Sequence, residues 1–352
     1  MKKRELLILI FIISFTAILT SCELFMGEPE GKIVMISIGL DYKYATENTT
    51  SYGELKGTLN DVRRAGAAMQ ALSERSGKDF YWIPLFQHEN VYSEVEGSSI
   101  EDNFASIENF ENVINYLDDN SSDATEPLII TDPEAFSLSK YLSDYEECGT
   151  KAHGIELNSN DILIIYYSGH GVVSTGDLYM MSNTSLTATD YSLASFKTAI
   201  EKLKSKTLVV LDSCYSGNLI DESNTTIRTR GPDIEITSYS QALEFLFDTT
   251  FDESNNNLFV LASTSKNYES SESSKYNYGY FTKAFLNAVG WTWEVEDITS
   301  LGDLESDIPS LNGGEISLDD IYSYTKDTNH FNKDYFPMIS GGRLDLVLFT
   351  IN

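Results

Sequence analysis

The sequence predicts an α/β fold with a mainly parallel six-stranded sheet flanked by helices, and two observations predict it. Continuous apolar runs such as 162–167 and 208–211 are typical of strands that are buried on both faces of a parallel sheet. Segments with apolar residues at helical spacing lie between such runs, as the crossover connections of parallel strands require. The chain of 352 residues is long enough for one large or two small domains, and we expect one domain over residues 32–350.

The start of the chain has the pattern of an export signal. Residues 2–4 are Lys-Lys-Arg, and the apolar run 6–19 is too short for a comfortable membrane-spanning helix. The sequence Leu-Thr-Ser-Cys at 19–22 resembles the lipobox of bacterial lipoproteins, which implies cleavage before Cys22 and a lipid on its thiol. A plain signal peptide or an uncleaved anchor is the alternative.

Residues 1–21 are therefore expected to be a lipoprotein signal peptide, and residues 22–31 to be a tether. The body of the protein is exported under each alternative. We expect it at the bacterial cell membrane or outer membrane, held there by its lipid.

The acidic composition limits the partners. Asp and Glu number 54 against 24 Lys and Arg, and the formal net charge is -30. Nucleic-acid binding needs clustered Lys and Arg, so the composition argues against it. It favours a well-solvated surface, and the alternative is attraction of a cationic ligand or peptide.

The first elements form a βαβ unit. A strand is predicted at 32–40, a helix at 58–76 and a second strand at 80–86, so the strands should be parallel with a right-handed crossover. Residues 88–150 are an acidic elaboration with weaker patterns. In it we expect helices at 107–117 and 137–148 and a short strand at 128–131.

The next unit carries the reactive residues. The third strand at 162–167 is followed by His170, and the fourth at 208–211 is followed by Cys214. A small hairpin at 178–181 and a helix through Phe196 connect them. The two strands should be neighbours whose carboxyl ends meet at one edge of the sheet, where α/β proteins place their sites.

The last part of the chain begins with a long polar loop over residues 218–257. The further elements are a helical stretch at 242–247, a fifth strand at 258–262, a helix from Phe281 toward Trp291, a helix opened by 317–320 and a sixth strand at 344–349.

His170 and Cys214 together suggest nucleophilic catalysis. A cysteine attacks as its thiolate, and an ordinary thiol has a pKa of about 8.5, so a neighbouring histidine helps by accepting the proton. The backbone N–H groups of Gly171 and Cys214 could converge on a developing oxyanion. Taken singly, His170 is a common turn residue and Cys214 a common core residue. Their pairing at two adjacent strand ends favours catalysis.

Four segments resemble the caspase-like cysteine peptidases, closest to the metacaspase and bacterial caspase-like branch. They are Tyr-Ser-Gly-His-Gly at 167–171, Asp-Ser-Cys-Tyr-Ser-Gly at 212–217, Gly-Thr-Leu-Asn-Asp at 57–61 and Gly-Tyr-Phe-Thr at 279–282. The resemblance covers roughly 32–348, with 88–150 poorly matched. It implies a caspase-like three-layer sandwich and a thiol endopeptidase with His170 as base and Cys214 as nucleophile.

The resemblance also speaks to specificity. In metacaspases the positions of Asp61, Ser168 and Asp212 shape a pocket for arginine or lysine. Two carboxylates attract a guanidinium and repel a carboxylate. Caspases instead use an arginine where this chain has Leu55 and a glutamine where it has Asp212. The alternative role of Asp61 is to cap or brace its helix.

Two further predictions concern processing and metals. Arg228 and Arg230 lie in the loop after Cys214, so self-cleavage there is our hypothesis, against an incidental solvated loop. The calcium site of metacaspases has no clear counterpart, because the scattered acids Asp177, Asp190 and Asp221 form no acidic run. We expect no cofactor, and calcium activation is the alternative. The remaining histidines, His88, His153 and His330, show no metal-ligand spacing.

The predicted partner is a peptide or protein substrate, and the oligomeric state stays open. One rival function is a catalytically silent caspase-fold lipoprotein that acts as a binding module. Another is a thiol peptidase of the legumain or clostripain kind, with a different specificity. A disulfide between Cys148 and Cys214 is disfavoured, because Cys214 occupies the nucleophile position.

Overall fold

The structure is a computed structural model that describes thirteen segments of the chain. They are residues 31–43, 54–87, 104–119, 124–130, 149–151, 154–171, 177–183, 187–214, 257–263, 272–273, 275–327, 338–340 and 346–351. The helices predicted at 137–148 and 242–247 lie outside these residues.

The described segments contain five helices and seventeen strands. The helices are α1 (Thr58–Ser76), α2 (Ile107–Asp119), α3 (Leu193–Glu201), α4 (Tyr280–Ala288) and α5 (Leu318–Asp327). The strands up to the reactive residues are β1 (Ile33–Gly39), β2 (Phe80–Phe86), β3 (Leu128–Ile130), β4 (Gly149–Lys151), β5 (Ile162–His170), β6 (Leu178–Met181), β7 (Ala188–Tyr191) and β8 (Lys206–Cys214). The later strands are β9 (Leu258–Ala262), β10 (Glu272–Ser273), β11 (Tyr278–Gly279), β12 (Trp291–Thr292), β13 (Asp303–Leu304), β14 (Leu311–Asn312), β15 (Glu315–Ser317), β16 (Met338–Ser340) and β17 (Val347–Thr350).

The main sheet has the strand order β16-β9-β8-β5-β1-β2-β3-β4. Its middle strands β2, β1, β5, β8 and β9 are parallel, while β16 pairs antiparallel with β9. The six strands from β16 to β2 confirm the predicted mainly parallel sheet. The short antiparallel strands β3 and β4 extend it at one edge.

The prediction of the sixth strand at 344–349 was wrong in one respect. The strand that completes the six is β16, and the later apolar run forms β17, which pairs with β15 in a separate small sheet. Leu348 and Phe349 of that run are buried in the core beside α1 and α5. An apolar run reports burial but not the pairing partner, so the sequence pattern could not distinguish the two sheets.

Two hydrophobic layers cover the two faces of the sheet. One contains Ile165 and Val209 from the strands, with Phe110 of α2 and Phe196 of α3. The other contains Ile164 of β5, packed with residues of α1, α4 and α5. Successive strand residues point to opposite faces, so burial on both sides requires an unbroken apolar run. This arrangement is the predicted three-layer sandwich.

Local capping agrees with the sequence at two helices. Ser192 precedes α3, and its hydroxyl accepts the N–H of Ser195 at 3.0 Å. Ser317 precedes α5 and accepts the N–H of Asp320 at 3.2 Å, as the predicted capping pattern requires. Among the described residues, no helix is both long enough and apolar enough to cross a membrane.

Candidate active site

The carboxyl ends of β5 and β8 form the centre of the candidate site. The two strands pair in parallel, and the register sets His170 opposite Cys214 and Ser168 opposite Asp212. Neighbouring strands lie about 4.8 Å apart, so the backbones of His170 and Cys214 are adjacent. The continuous apolar runs before them place both strands in the middle of the sheet, which brings the two predicted catalytic residues together.

His170 extends past the end of its other neighbour, β1. That strand ends opposite Ser168, and Leu40 N–H still donates to the Ser168 carbonyl at 3.1 Å. Two tyrosine hydroxyls form hydrogen bonds with the backbone N–H and carbonyl of His170. Its N–H donates to the Tyr42 hydroxyl at 2.8 Å, and its carbonyl accepts from the Tyr167 hydroxyl at 2.6 Å.

The Tyr42 side chain also contacts the imidazole. The two ring centroids are 4.6 Å apart, with 32° between the ring planes. The Tyr42 hydroxyl donates to the Tyr179 carbonyl at 2.7 Å, so its ring is held at the far end as well. The sequence reasoning missed Tyr42, since nothing in a short turn after β1 indicates contact with residue 170.

Gly169 makes room for the two hydroxyls. A Cβ at this position would lie 2.8 Å from the hydroxyl oxygens of both Tyr42 and Tyr167. A side chain here would therefore collide with the groups that hold His170. The glycine of this Gly-His pair serves close packing within the protein.

Asp61 and Asp212 meet at a third chain segment, around Gly279. Asp61 accepts the Gly279 N–H at 2.7 Å, and Asp212 accepts the N–H of Thr282 at 3.2 Å and its hydroxyl at 2.5 Å. A Cβ on Gly279 would lie 2.3 Å from one Asp212 oxygen and 2.9 Å from one Asp61 oxygen. The chain passes between the two carboxylates, and only glycine fits at the point of passage.

The surroundings of the Asp61 carboxyl disfavour its ionised form. Burial raises its pKa well above the usual value, and the nearby charge of Asp212 raises it further. The Gly279 N–H and the charge of Arg64 act in the opposite direction. The Oδ1 atom of Asp61 is buried and has no hydrogen-bond partner among the described residues. One oxygen is thus engaged by the protein, and the other is unused.

A buried hydroxyl chain extends behind Asp212. Tyr166 of β5 contacts the Thr282 hydroxyl, which donates to Asp212. Burial, and after it the charges of Asp61 and Asp212, raise the pKa of Tyr166 well above its usual value, so it stays a neutral donor. Ser168 is buried and hydrogen-bonds to Tyr166, so it contributes to the same network.

Two buried arginines lie on the next turn of α1. The Arg64 guanidinium is 4.6 Å from the Trp293 ring centroid and donates to the Ser300 carbonyl at 3.1 Å. Arg63 donates to Asn60 at 3.3 Å, and burial together with the charge of Arg64 lowers the pKa of Arg63 to about 10. The charge of Arg64 lowers the pKa of Asp61.

A glutamate from a distant segment caps α1. The Glu272 carboxylate accepts the N–H groups of Lys56 and Gly57 at 3.0 and 2.8 Å. A negative charge at a helix N-terminus is favourable. Glu272 lies in β10, which pairs with β11 and so precedes the Gly279 passage. Glu272 therefore links the start of α1 to this hairpin and caps the helix. Asp61 makes a second link, because it accepts the N–H of Gly279 in the same hairpin.

The remaining predicted residues fall into two groups. Gly171 forms an isolated bridge with Leu178 and so lies at the site edge. Asp177 accepts the Leu193 N–H at 2.9 Å, and burial followed by the charge of Asp177 raises the pKa of Asp190. Those not covered by the described residues are Cys22, Cys148, Asp221, Arg228, Arg230, His88, His153 and His330. In the part of the chain that is described, no group of acidic, histidine or cysteine residues is arranged to hold a metal.

Comparison with known proteins identifies the class. The family model described as "Caspase domain" matches residues 144–303, which include both strand ends. The caspase-like resemblance is therefore confirmed over residues 144–303. Such a domain implies a peptide or protein substrate. No curated protein matches the sequence.

Two solved structures are distant likenesses. Protein GSU0716 from Geobacter sulfurreducens has 15% identity and a TM-score of 0.44, over 91% of this chain and 99% of that one. Raptor from Chaetomium thermophilum has 11% identity and a TM-score of 0.36, over 74% of this chain and 18% of its own. These values are too low for an inference about function.

Proposed function

We propose that the protein is a cysteine endopeptidase that uses a Cys214–His170 dyad. The observation that carries the proposal is the β5–β8 register, which sets these residues side by side at the carboxyl edge of the sheet. His170 removes the thiol proton, and the thiolate attacks the scissile carbonyl. His170 then gives that proton to the leaving amine. Water attacks the resulting thioester, which releases the acid and restores the thiol.

The backbone N–H groups of Gly171 and Cys214 are the proposed donors to the oxyanion. Donors that are already oriented stabilise the developing charge without reorganisation. Both residues lie at the strand ends beside His170, and that position supports their role.

Cleavage is proposed after arginine or lysine, with Asp61, Ser168 and Asp212 around the substrate side chain. The support is the meeting of two buried carboxylates close to the strand ends, with the Oδ1 atom of Asp61 unused by the described residues. A guanidinium or ammonium would satisfy this oxygen and relieve the repulsion between the carboxylates. A substrate carboxylate would add a third negative charge.

A panel of fluorogenic peptides that differ only in Arg, Lys, Asp or Asn at the cleavage position tests both statements. We expect turnover of the Arg and Lys peptides and its loss in Cys214→Ala and His170→Gln. Turnover of Asp or Asn peptides would contradict the pocket assignment and favour the legumain-like rival. No turnover of any peptide by a folded protein would favour the silent binding module.

We further propose that the protein is exported as a lipoprotein anchored through Cys22. The sequence pattern supports this proposal. Labelling cells with an alkyne fatty acid should mark the wild type but not Cys22→Ala.

We also propose that the protein cuts its own loop over residues 218–257 after Arg228 or Arg230, and the sequence pattern again is the support. The N-termini that form on incubation of the pure protein should begin after those arginines, and Cys214→Ala should remain intact. Fragments that begin elsewhere would contradict the cleavage sites.

A further inference from the structure

We propose that Tyr42 is a positioning residue for His170, which holds the imidazole in its catalytic orientation and favours its protonated form. The proposal rests on the proposed function in one respect, namely that His170 is the base. Its structural part, the hold on His170, can be tested without any peptidase activity.

The first line of support is the backbone of Tyr42, which is held in an unusual conformation. Its φ angle is 58°, in the left-handed region that a tyrosine seldom adopts. The turn is held in place because Tyr42 N–H donates to the buried Gln87 side chain at 2.8 Å and Gln87 N–H donates to the Gly39 carbonyl at 3.0 Å. The Leu55 N–H closes the other side of the turn on the Asp41 carbonyl at 2.9 Å. Strain of this kind persists where the surroundings over-determine it, often at functional sites.

The second line is what this turn achieves. It carries the Tyr42 ring over the imidazole at 4.6 Å, and it carries the hydroxyl to the His170 N–H at 2.8 Å. Both the side chain and the backbone of His170 are therefore held by one residue. Strand β1 ends opposite Ser168, so the Tyr42 hydroxyl replaces the next residue of β1 as the partner of the His170 N–H.

The third line is the chemistry of the ring. An aromatic face carries negative electrostatic potential, and it attracts a cation within about 6 Å of its centroid. His170 becomes an imidazolium when it takes the thiol proton, so the Tyr42 ring favours the charge-separated pair that attacks. Restricting the imidazole to one orientation also lowers the entropy that the attack must lose.

Two substitutions separate the hydroxyl from the ring. Tyr42→Phe keeps the ring and removes the acceptor of the His170 N–H, so kcat should fall about 10-fold with KM nearly unchanged. Tyr42→Leu removes both contacts, so kcat should fall about 100-fold. The matched control is Tyr191→Phe, since Tyr191 is an equally buried tyrosine whose hydroxyl donates to Glu111 away from the site. It should keep kcat.

Nuclear magnetic resonance of the inactive Cys214→Ala protein gives the readout that does not depend on activity. The chain has four histidines, so the His170 signals are identified by their loss in His170→Gln. In the Cys214→Ala protein with Tyr42 intact, we expect nuclear Overhauser effects between the Tyr42 and His170 rings. Tyr42→Phe should speed hydrogen exchange of the His170 amide, because its acceptor is gone. Tyr42→Leu should shift the ring-proton signals of His170 downfield, because the shielding aromatic ring is gone.

The outcomes are distinct. Absence of the ring contacts in the Cys214→Ala protein overturns the proposal even if both Tyr42 variants fail to fold. Folded Tyr42 variants with wild-type kcat, or a loss that matches the loss of folded protein, also overturn it. If no peptide is cleaved by the wild type while the ring contacts and amide effects appear, the peptidase function fails and the hold on His170 stands.

Discussion

The two parts of the site are held together by opposite physical means. Around His170 the contacts are neutral: two tyrosine hydroxyls engage its backbone and one ring packs on its imidazole. Around Gly279, two like charges are kept together by backbone N–H donors. The first region is therefore sensitive to shape, and the second to charge as well as shape. Substitutions that alter only shape or only charge should separate the two.

Gly279→Ala should have the largest effect, because the new Cβ would lie 2.3 Å from Asp212 and 2.9 Å from Asp61. Displacing both carboxylates should reduce kcat/KM for an Arg peptide by at least about 100-fold. Alkylation of Cys214 by iodoacetamide needs no pocket, so its rate should stay near the wild-type value. An equal loss in both measurements would mean that the two regions do not act separately.

Asp61→Asn changes charge while keeping shape, and should reduce kcat/KM for the Arg peptide by about 30-fold or more. An arginine side chain needs Asp61 ionised, and the pKa of Asp61 is raised by burial and by Asp212. Activity of the wild type toward the Arg peptide should therefore increase with pH through that raised pKa. The variant should lose this dependence, and an unchanged pH profile would contradict the assignment.

Asp61→Asn should also change how the free energy of unfolding depends on pH, and the sign of this change follows from the raised pKa of Asp61. Between the ordinary pKa of 3.8 and the raised pKa of Asp61, the folded protein binds more protons than the unfolded chain. The Asp61 contribution to the free energy of unfolding therefore falls as pH rises through this window and is constant above it. Urea unfolding should show Asp61→Asn gaining stability over the wild type as pH rises. Glu315→Gln removes one exposed negative charge and should show no such trend.

Gly169→Ala disturbs shape alone, because its Cβ would lie 2.8 Å from the Tyr42 and Tyr167 hydroxyls. We expect kcat to fall about 10-fold while KM and the preference for Arg stay unchanged. Peptide kinetics with the Arg and Lys substrates check this. A change in the Arg to Lys ratio would show that the tyrosine contacts also shape the pocket.

Glu272→Gln should have the smallest effect. The neutral side chain keeps only one acceptor oxygen, so it can replace one of the two hydrogen bonds from Lys56 and Gly57 but not both, and it loses its charge at the start of α1. Thermal or urea unfolding should show a loss of about 1 kcal/mol, and the part that comes from the charge should shrink at high salt. A salt-independent loss would mean that the hydrogen bonds matter and the charge does not. Glu315→Gln serves here too as the exposed control.

The sequence by itself determined the strand ends of this protein. The apolar runs before His170 and Cys214 can only be buried on both faces, and the helix between them makes the strands parallel neighbours. These features are local in the chain, so residue pattern and chain connection suffice to predict them. The register of β5 and β8 also sets Ser168 opposite Asp212, two residues that the sequence indicated only through the metacaspase resemblance.

The tertiary structure alone decided what surrounds those ends. Tyr42 contacts a residue 128 positions away, and Asp61 one 218 positions away, so no local pattern could report either contact. It also decided that β16 and not β17 completes the sheet, that Glu272 caps α1, and that Gly279 passes between two carboxylates. Local pattern encodes burial and direction, whereas the choice among distant partners depends on packing and charge that exist only once the chain has folded.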